Sequence, residues 1–303
     1  MSETRISAIV PVHGRSNLLA EAVESLVATR YPNLEIEVVV DGSTRSTLDS
    51  ARWLEARYPG VVRVIRHPDG ANRGPGASRN RGIRLATGRY VCFLDSDDTV
   101  LPNRFRVAPA MLDADPSIDG VCERFLRVGG DPPGPPVLSG DRTGLREELL
   151  GPGVEWHVNT ILLRRRCLRE IGGFSESLRT SEDWVLWTKL ALAARVVDGS
   201  PDPVAIYRRH AESTAPIFEN SLLAFLEVIE WARGRELSDE KLGAVREAAW
   251  GKLLYVCDRL RRRGERGRAA QMLIASAATV PVFALRRRFW RNLFHVGLLA
   301  GRG

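Results

Sequence analysis

The sequence predicts an α/β protein: a mostly parallel sheet flanked by helices, followed by a helical C-terminal extension. Three observations carry this expectation. Short apolar runs rich in β-branched residues alternate with segments of helical period over the first hundred residues. Aspartates close two of those runs, at Asp41 and Asp95. Beyond Pro216 the strand-like runs cease, and Leu222, Leu223, Leu226 and Ile229 fall at the spacing of one helix face.

Taken in order, Ile6 to Val12 reads as a buried strand. Asn17 then caps a helix whose apolar positions are Leu18, Leu19, Ala22, Val23 and Leu26. Glu35 to Val40 is a second strand, ended by Asp41-Gly42. A helix around Leu48 to Arg57 and a strand Val61 to Ile65 follow. Gly74-Pro75-Gly76 opens a helix that runs to Ala86, Gly88 stops it, and Arg89 to Leu94 is the next strand. Strands alternating with helices imply parallel pairing with both faces covered. In such sheets ligands bind beyond the carboxyl ends of the strands, which is where Asp41 and Asp95 fall. Further on, Gly129 to Gly144 is rich in Pro and Gly and reads as a loop. Thr160 to Leu163 reads as a strand and Arg164 to Ile171 as a helix stopped by Gly172-Gly173. Ser181 reads as the N-cap of a helix over Glu182 to Leu192.

The 303 residues are 44% hydrophobic and carry a formal charge of +7, enough chain for a sizeable core plus an extension. Lysine occurs only at Lys189, Lys241 and Lys252, so arginine supplies nearly all the positive charge. Arginine excess suits an anionic ligand such as a diphosphate or an acidic membrane surface, and a coding bias produces the same composition. No aromatic-interleaved basic stripe is present, which argues against a nucleic-acid partner. Cys92, Cys122, Cys167 and Cys257 are scattered without a C-x-x-C pair, pointing away from a disulfide framework and toward a reducing cytoplasm. No stretch approaches the ~20 apolar residues of a membrane span.

The strongest chemical signal is Phe93-Leu94-Asp95-Ser96-Asp97-Asp98. Three carboxylates at the end of an apolar strand repel one another unless a cation compensates them. The alternate spacing lets Asp95 and Asp97 address one site, and a hard divalent ion such as Mg²⁺ or Mn²⁺ accepts such oxygens and also binds a diphosphate. A solvated acidic turn has the same composition. Upstream, glycines around Asn72-Arg73-Gly74-Pro75-Gly76 allow close backbone approach to a phosphate, and Arg79 adds positive charge.

The ordered set Val10-Pro11-Val12, Asp41-Gly42-Ser43, Asn72-x-Gly74, Ala77-x-Arg79-Asn80-x-Gly82, Gly88-x-Tyr90 and Leu94-Asp95-Ser96-Asp97-Asp98 resembles family 2 glycosyltransferases of the GT-A fold. Gly172-Gly173-Phe174-Ser175-Glu176, Ser181-Glu182-Asp183-Trp184 and Tyr207-Arg208-Arg209-His210 continue the likeness, which covers about two thirds of the chain. The resemblance implies a Rossmann-like GT-A catalytic domain over residues 1–214. Its nucleotide-sugar half would occupy about 1–100 and its acceptor half about 101–214, with residues 215–303 as the helical extension. It also implies an inverting, metal-dependent transfer from a nucleotide-diphosphate sugar, most simply a UDP-sugar, to a hydroxyl of a glycan, lipid carrier or small natural product.

Roles follow residue by residue from the same resemblance. Asp41 would receive the nucleotide base, with Pro11 and Val12 lining that pocket. Asn72, Arg79 and Ser96 would belong to the nucleotide-sugar site, Arg79 near the base or diphosphate. Asp95 and Asp97 would hold Mg²⁺ or Mn²⁺, Asp97 directly and Asp95 through ribose or water, and His210 would complete the metal site. Asp183 would be the catalytic base. By position alone, Glu182 and Asp183 also suit the positive end of a helix. His13 has no role assigned by the resemblance.

Two other readings stand beside this one. A nucleotidyltransferase also combines a parallel sheet with acidic metal ligands, but the loop after the first strand, His13-Gly14-Arg15-Ser16, lacks a lysine. A non-catalytic nucleotide-sugar-binding scaffold predicts a broken metal or base motif, whereas Asp95, Asp97 and Asp183 are all present. In the tail, Phe283 to Phe294 mixes arginines with bulky apolar residues. It reads either as a closing helix or as a peripheral contact with the inner face of the plasma membrane.

Overall fold

A computed structural model describes residues 3–14, 16–129, 137–138, 157–209, 218–235 and 237–279. His210, Trp156, most of the Gly129–Gly144 loop and the basic tail segment lie outside the described residues. Those described fall into two compact units, one built from the elements up to Arg209 and the other from Phe218 onward.

The first unit opens with β1 (Ile6–Val12), α1 (Ser16–Ala28), β2 (Leu34–Val40), α2 (Arg45–Arg57), β3 (Val62–Arg66), α3 (Pro75–Leu85) and β4 (Tyr90–Phe93). The strands pair in parallel in the order β3-β2-β1-β4, with Ile6 opposite both Leu34 and Tyr90. β2 is buried along its whole length and β1 nearly so, which is why Ala8-Ile9-Val10 and Val38-Val39-Val40 run apolar without alternating. Ile6, Ala8, Val10, Leu19, Val23, Ile36 and Leu54 meet in the principal core.

Two acids break the apolar run of β2, and each is satisfied. Glu35 accepts hydrogen bonds from Ser7, Arg5, Thr87 and the Gly88 amide. Burial works to raise Glu35, but the hydrogen bonds from Ser7, Thr87 and Arg5 outweigh it and hold its pKa at about 2. Glu37 is paired with Arg63, yet its burial wins and pushes it up to about 7.

Past β4 the sheet becomes mixed. The next elements are β5 (Thr99–Val100), α4 (Ala108–Ala114), β6 (Gly120–Gly129), β7 (Val137–Leu138), a 3₁₀ turn (Val158–Thr160), β8 (Ile161–Arg164), α5 (Arg165–Ile171), α6 (Glu182–Ala193) and β9 (Val196–Arg209). β8 runs antiparallel between β4 and β6, β9 lies parallel to β6, and β5 closes the order antiparallel to β9. Exclusively parallel pairing therefore holds for the first half only, although β6 and β9 are parallel as well. Gly172 ends α5 in the left-handed conformation at φ 84°, as its sequence requires. Ser181 does sit at the start of α6, but with φ 67° and no side-chain capping bond. The position read from the sequence is right and the capping chemistry is not.

The second unit contains α7 (Phe218–Arg233), α8 (Asp239–Arg262) and α9 (Arg266–Thr279). Ser238 caps α8 by accepting from the Lys241 amide. Its core gathers Trp250, Leu253, Val256, Leu260, Ala269 and Leu273, with Leu226 and Ile229 packed against them. Leu223 departs from the expected apolar face and is exposed. All four cysteines are buried free thiols, and no helix among the described residues is long and apolar enough to cross a membrane.

Candidate active site

The carboxyl ends of β1, β2 and β4 open onto a cleft of about 680 Å³. Pro11 and Val12 reach it from the end of β1, Asp41 from the residue after β2, and Asp95, Ser96 and Asp97 from the turn after β4. Asn72, Arg79 and Asp183 line the same cleft. Thus nine sequence-predicted residues, scattered from position 11 to 183, converge on one space. His210 lies outside the described residues.

Asp41 is buried, and its carboxylate is spoken for. Oδ1 accepts from the Arg73 amide at 2.6 Å and Oδ2 from the Gly74 amide at 2.9 Å, while His67 Nε2 stands 3.4 Å from Oδ1. The acid therefore pins the segment that leads into α3. Gly42 beside it has φ 58°, and a Cβ there would overlap the Asn72 backbone, so the Asp-Gly pair serves a close chain crossing. Asn72 donates to the His13 ring and accepts at Oδ1 from the Gly74 amide at 3.1 Å and from Arg179 at 2.5 Å. His13 in turn contacts the Asp41 carbonyl at 2.7 Å.

Arg79 does not face open solvent. Its side chain is 5% exposed and forks between Asp95 Oδ1 and Glu182 Oε1, 2.7 Å from each. The Phe174 ring lies 5.1 Å below the guanidinium. This cation joins the end of β4 to the first turn of α6, holding the acidic turn and the Glu182-Asp183 pair in one register. Burial works to lower Arg79, but Asp95 and Glu182 outweigh it and raise its pKa. Glu182 is raised by its own burial, against the pull of Arg79 and with the push of Asp183. Neighbouring Asp183 is half-buried and accepts from the Trp184 amide at 2.7 Å.

Beneath the acidic turn lies a set of contacts, centred on Asn159, that sequence reading did not resolve. Asp98 is 1% exposed, accepting from the Arg208 amide and from Asn159 Nδ2, both at 2.7 Å. Asn159 also accepts from the Asp95 amide at 3.0 Å. His157 Nε2 stands 3.8 Å from Asp98, and its ring leans on Tyr207 at 4.4 Å. Burial pushes His157 down, favouring the neutral imidazole, while Asp95 and Asp183 pull the other way. Ligand atoms of Asp95, Asp98 and His157 all fall within 4.8 Å of one another, the spacing of groups able to share a cation. The sequence offers Trp156-His157 as a place for a donor or acceptor sugar to stack, but not the partners of His157, which come from β9 and the acidic turn.

The family model described as "Glycosyl transferase family 2" matches residues 7–171, more than half of the chain. The chain belongs to glycosyl transferase family 2. YibD of Escherichia coli (strain K12), an uncharacterized glycosyltransferase, is 36% identical over 110 residues, 36% of this chain and 31% of YibD. The matched segment thus spans about a third of that relative's length. Among solved structures, residues 1–349 of TarS from S. aureus, in complex with UDP-GlcNAc, align with a TM-score of 0.66 at 21% identity over 89% of this chain and 80% of that one. The mannosyltransferase PcManGT from Pyrobaculum calidifontis, in complex with GDP-Man and Mn²⁺, aligns at 0.59 and 20% identity over 97% of this chain and 84% of that one. The fold of this family 2 chain is accordingly GT-A, with parallel strands under the cleft and mixed pairing beyond it.

Proposed function

We propose that this family 2 protein moves a sugar from a nucleotide diphosphate, in the first instance UDP, to an acceptor hydroxyl with inversion. The observation that carries the reading is the meeting of Asp183 with Asp41, Asp95 and Asp97 in one cleft. These residues come from three separate stretches of chain.

In the proposed step, Asp183 takes the proton of the acceptor hydroxyl as that oxygen attacks the anomeric carbon. The new C–O bond forms on one face while the bond to the diphosphate oxygen breaks on the other, its electron pair leaving with the nucleotide. A placed general base of this kind is worth ~10²–10⁴-fold, and alignment of the reacting atoms contributes further. Pro11 and Val12 offer an apolar edge for the base of the nucleotide. Asp41 acts through the loop that it fixes, presenting Asn72 and the start of α3 to the donor. Arg79 keeps Asp95 and Glu182 in place, and Arg179, whose hydrogen bonds go to the neutral oxygens of Asn72, supplies free positive charge for the diphosphate.

Five carboxylates but only two guanidinium groups line the cleft. A diphosphate entering it adds further negative charge, so the donor set suits a divalent cation. Asp95 and Asp97 would hold Mg²⁺ or Mn²⁺ from the cleft side, with His157 beside them and His210 as the further ligand that the family resemblance implies. When bound, the ion stabilises charge on the departing diphosphate. Asp98 suits this direct role less, because both its oxygens already accept hydrogen bonds.

The test is nucleotide release by the full chain from a panel of nucleotide sugars, with Mn²⁺ and acceptor pools, beside Asp183→Asn. Wild-type turnover that needs the metal and falls ~10²–10⁴-fold in the variant is the expected result. A chain that binds UDP yet releases none from any donor would instead be a nucleotide-sugar-binding scaffold.

A further inference from the structure

At the opposite end of β4 from the acidic turn, a second cavity of about 280 Å³ is lined by Arg89, Arg164, Arg165, Arg166 and Arg169. Arg89 directly precedes β4, Arg164 ends β8 opposite Tyr90, and the other three lie on α5. The sheet therefore separates this cavity from the cleft.

Five guanidinium groups around so small a space repel one another, and their contacts do little to relieve that. Arg164 is 3% exposed and donates to the carbonyl oxygens of Ile118, Leu112 and Asp115 and to the Tyr90 phenol, which are all neutral. Arg165 donates to the Ala86 carbonyl; Glu37 feels its charge, but the hydrogen bond of that acid goes to Arg63. Asp113 comes no closer to Arg89 than 3.8 Å, and Asp119 stands 3.5 Å from Arg166. A buried guanidinium without a carboxylate partner, ringed by four more, is a strong attractor for a compact multivalent anion. We propose that this cavity is an anion site, taking a phosphate monoester or pyrophosphate group outside the catalytic cleft.

The source of that group is either a free phosphate or the headgroup of an acidic lipid, and one pair of substitutions tests both. Arg89 and Arg169 are exposed and take no part in the cleft, so Arg89→Gln/Arg169→Gln should fold and melt as the wild type does. The full chain is titrated calorimetrically in EDTA with inorganic phosphate and with pyrophosphate. In parallel it is sedimented with phosphatidylcholine vesicles with and without phosphatidic acid. A free-anion site predicts pyrophosphate binding that weakens about tenfold or more in the double variant. A headgroup site predicts sedimentation only with phosphatidic acid, lost in the same variant and reduced by salt. UDP binding at the cleft should be unchanged in either case. The proposal is overturned if the wild type binds none of phosphate, pyrophosphate and phosphatidic acid vesicles, or if the double variant binds whichever of them the wild type binds just as tightly.

Discussion

Replacing Arg79 with methionine isolates the cation that joins the two halves of the cleft. The guanidinium lies 2.7 Å from each of two carboxylates, Glu182 at 8% side-chain exposure and Asp95 at 28%. Methionine keeps the packing over Phe174 but leaves both acids without their counter-charge. Removing one partner of a buried pair costs ~3–5 kcal/mol, mostly the desolvation of the charge left behind. Glu182 carries the larger share here because Asp95 retains some solvent. Lysine should rescue little, since one ammonium cannot reproduce the planar fork that reaches both acids. Urea unfolding followed by tryptophan fluorescence at pH 7.5 measures the loss. Arg84→Met is the control, because its pair with Glu176 is about half exposed on both sides and should matter by less than ~1 kcal/mol. Arg79→Met/Glu182→Gln should recover much of the stability, since the orphaned charge goes too. If Arg79→Met unfolds within ~1 kcal/mol of the wild type, the guanidinium is not the strut between the acidic turn and α6.

Four further outcomes are expected. Asp183→Asn should melt with the wild type, because the asparagine oxygen can still accept from the Trp184 amide, while turnover falls ~10²–10⁴-fold in the nucleotide-release assay. Glu35→Gln should lose ~2–3 kcal/mol at pH 7 by chemical unfolding. Because the folded pKa of Glu35 lies at about 2, below its ordinary 4.5, its contribution is present above pH 4.5 and drains away as pH falls through 2, and the glutamine variant should lack that part of the acid slope. Gly76→Ala should destabilise by ~1–3 kcal/mol in thermal melts although alanine favours helices, because its methyl group would overlap the Ser175 carbonyl. Asp98→Asn should cost ~1–3 kcal/mol in the same melts, since one amide oxygen cannot accept from both Arg208 and Asn159.

The first half of the fold was legible because each signal there is local. Ala8 to Val10 and Val38 to Val40 are apolar without alternation since their strands are covered on both faces, and helical spacing fills the gap between them. Glycines at 74, 76 and 172 mark the helix start and stop that the structure contains. Beyond Val100 the signals weaken. β6 and β9 carry Glu123, Arg124, Asp198 and Arg208 among their apolar residues. β6 is paired with β9 across nearly eighty residues of sequence, with a register shift near Arg124. Pairing of that kind is decided by tertiary contacts, not by local pattern.

In the cleft the same division appears at the level of single side chains. Strand ends placed Asp41, Asp95 and Asp97, because the end of a strand fixes where a residue's backbone lies, and the family resemblance pointed to Asp183; all four line the cleft. The partner a side chain chooses was not legible. Arg79 reads as a phosphate ligand from its place in a Gly-rich helix start, yet its guanidinium spans Asp95 and Glu182, acids 16 and 103 residues away. His157 and Asn159 gain their chemistry only when β8 swings antiparallel beside β4 and sets the 3₁₀ turn under Asp95 and Asp98. The charge that Arg79 gives up to the two acids has a consequence for the diphosphate. On the proposed function, positive charge for it would come from Arg179 and a divalent ion, so donor binding should depend on both more steeply than the motif order alone implies.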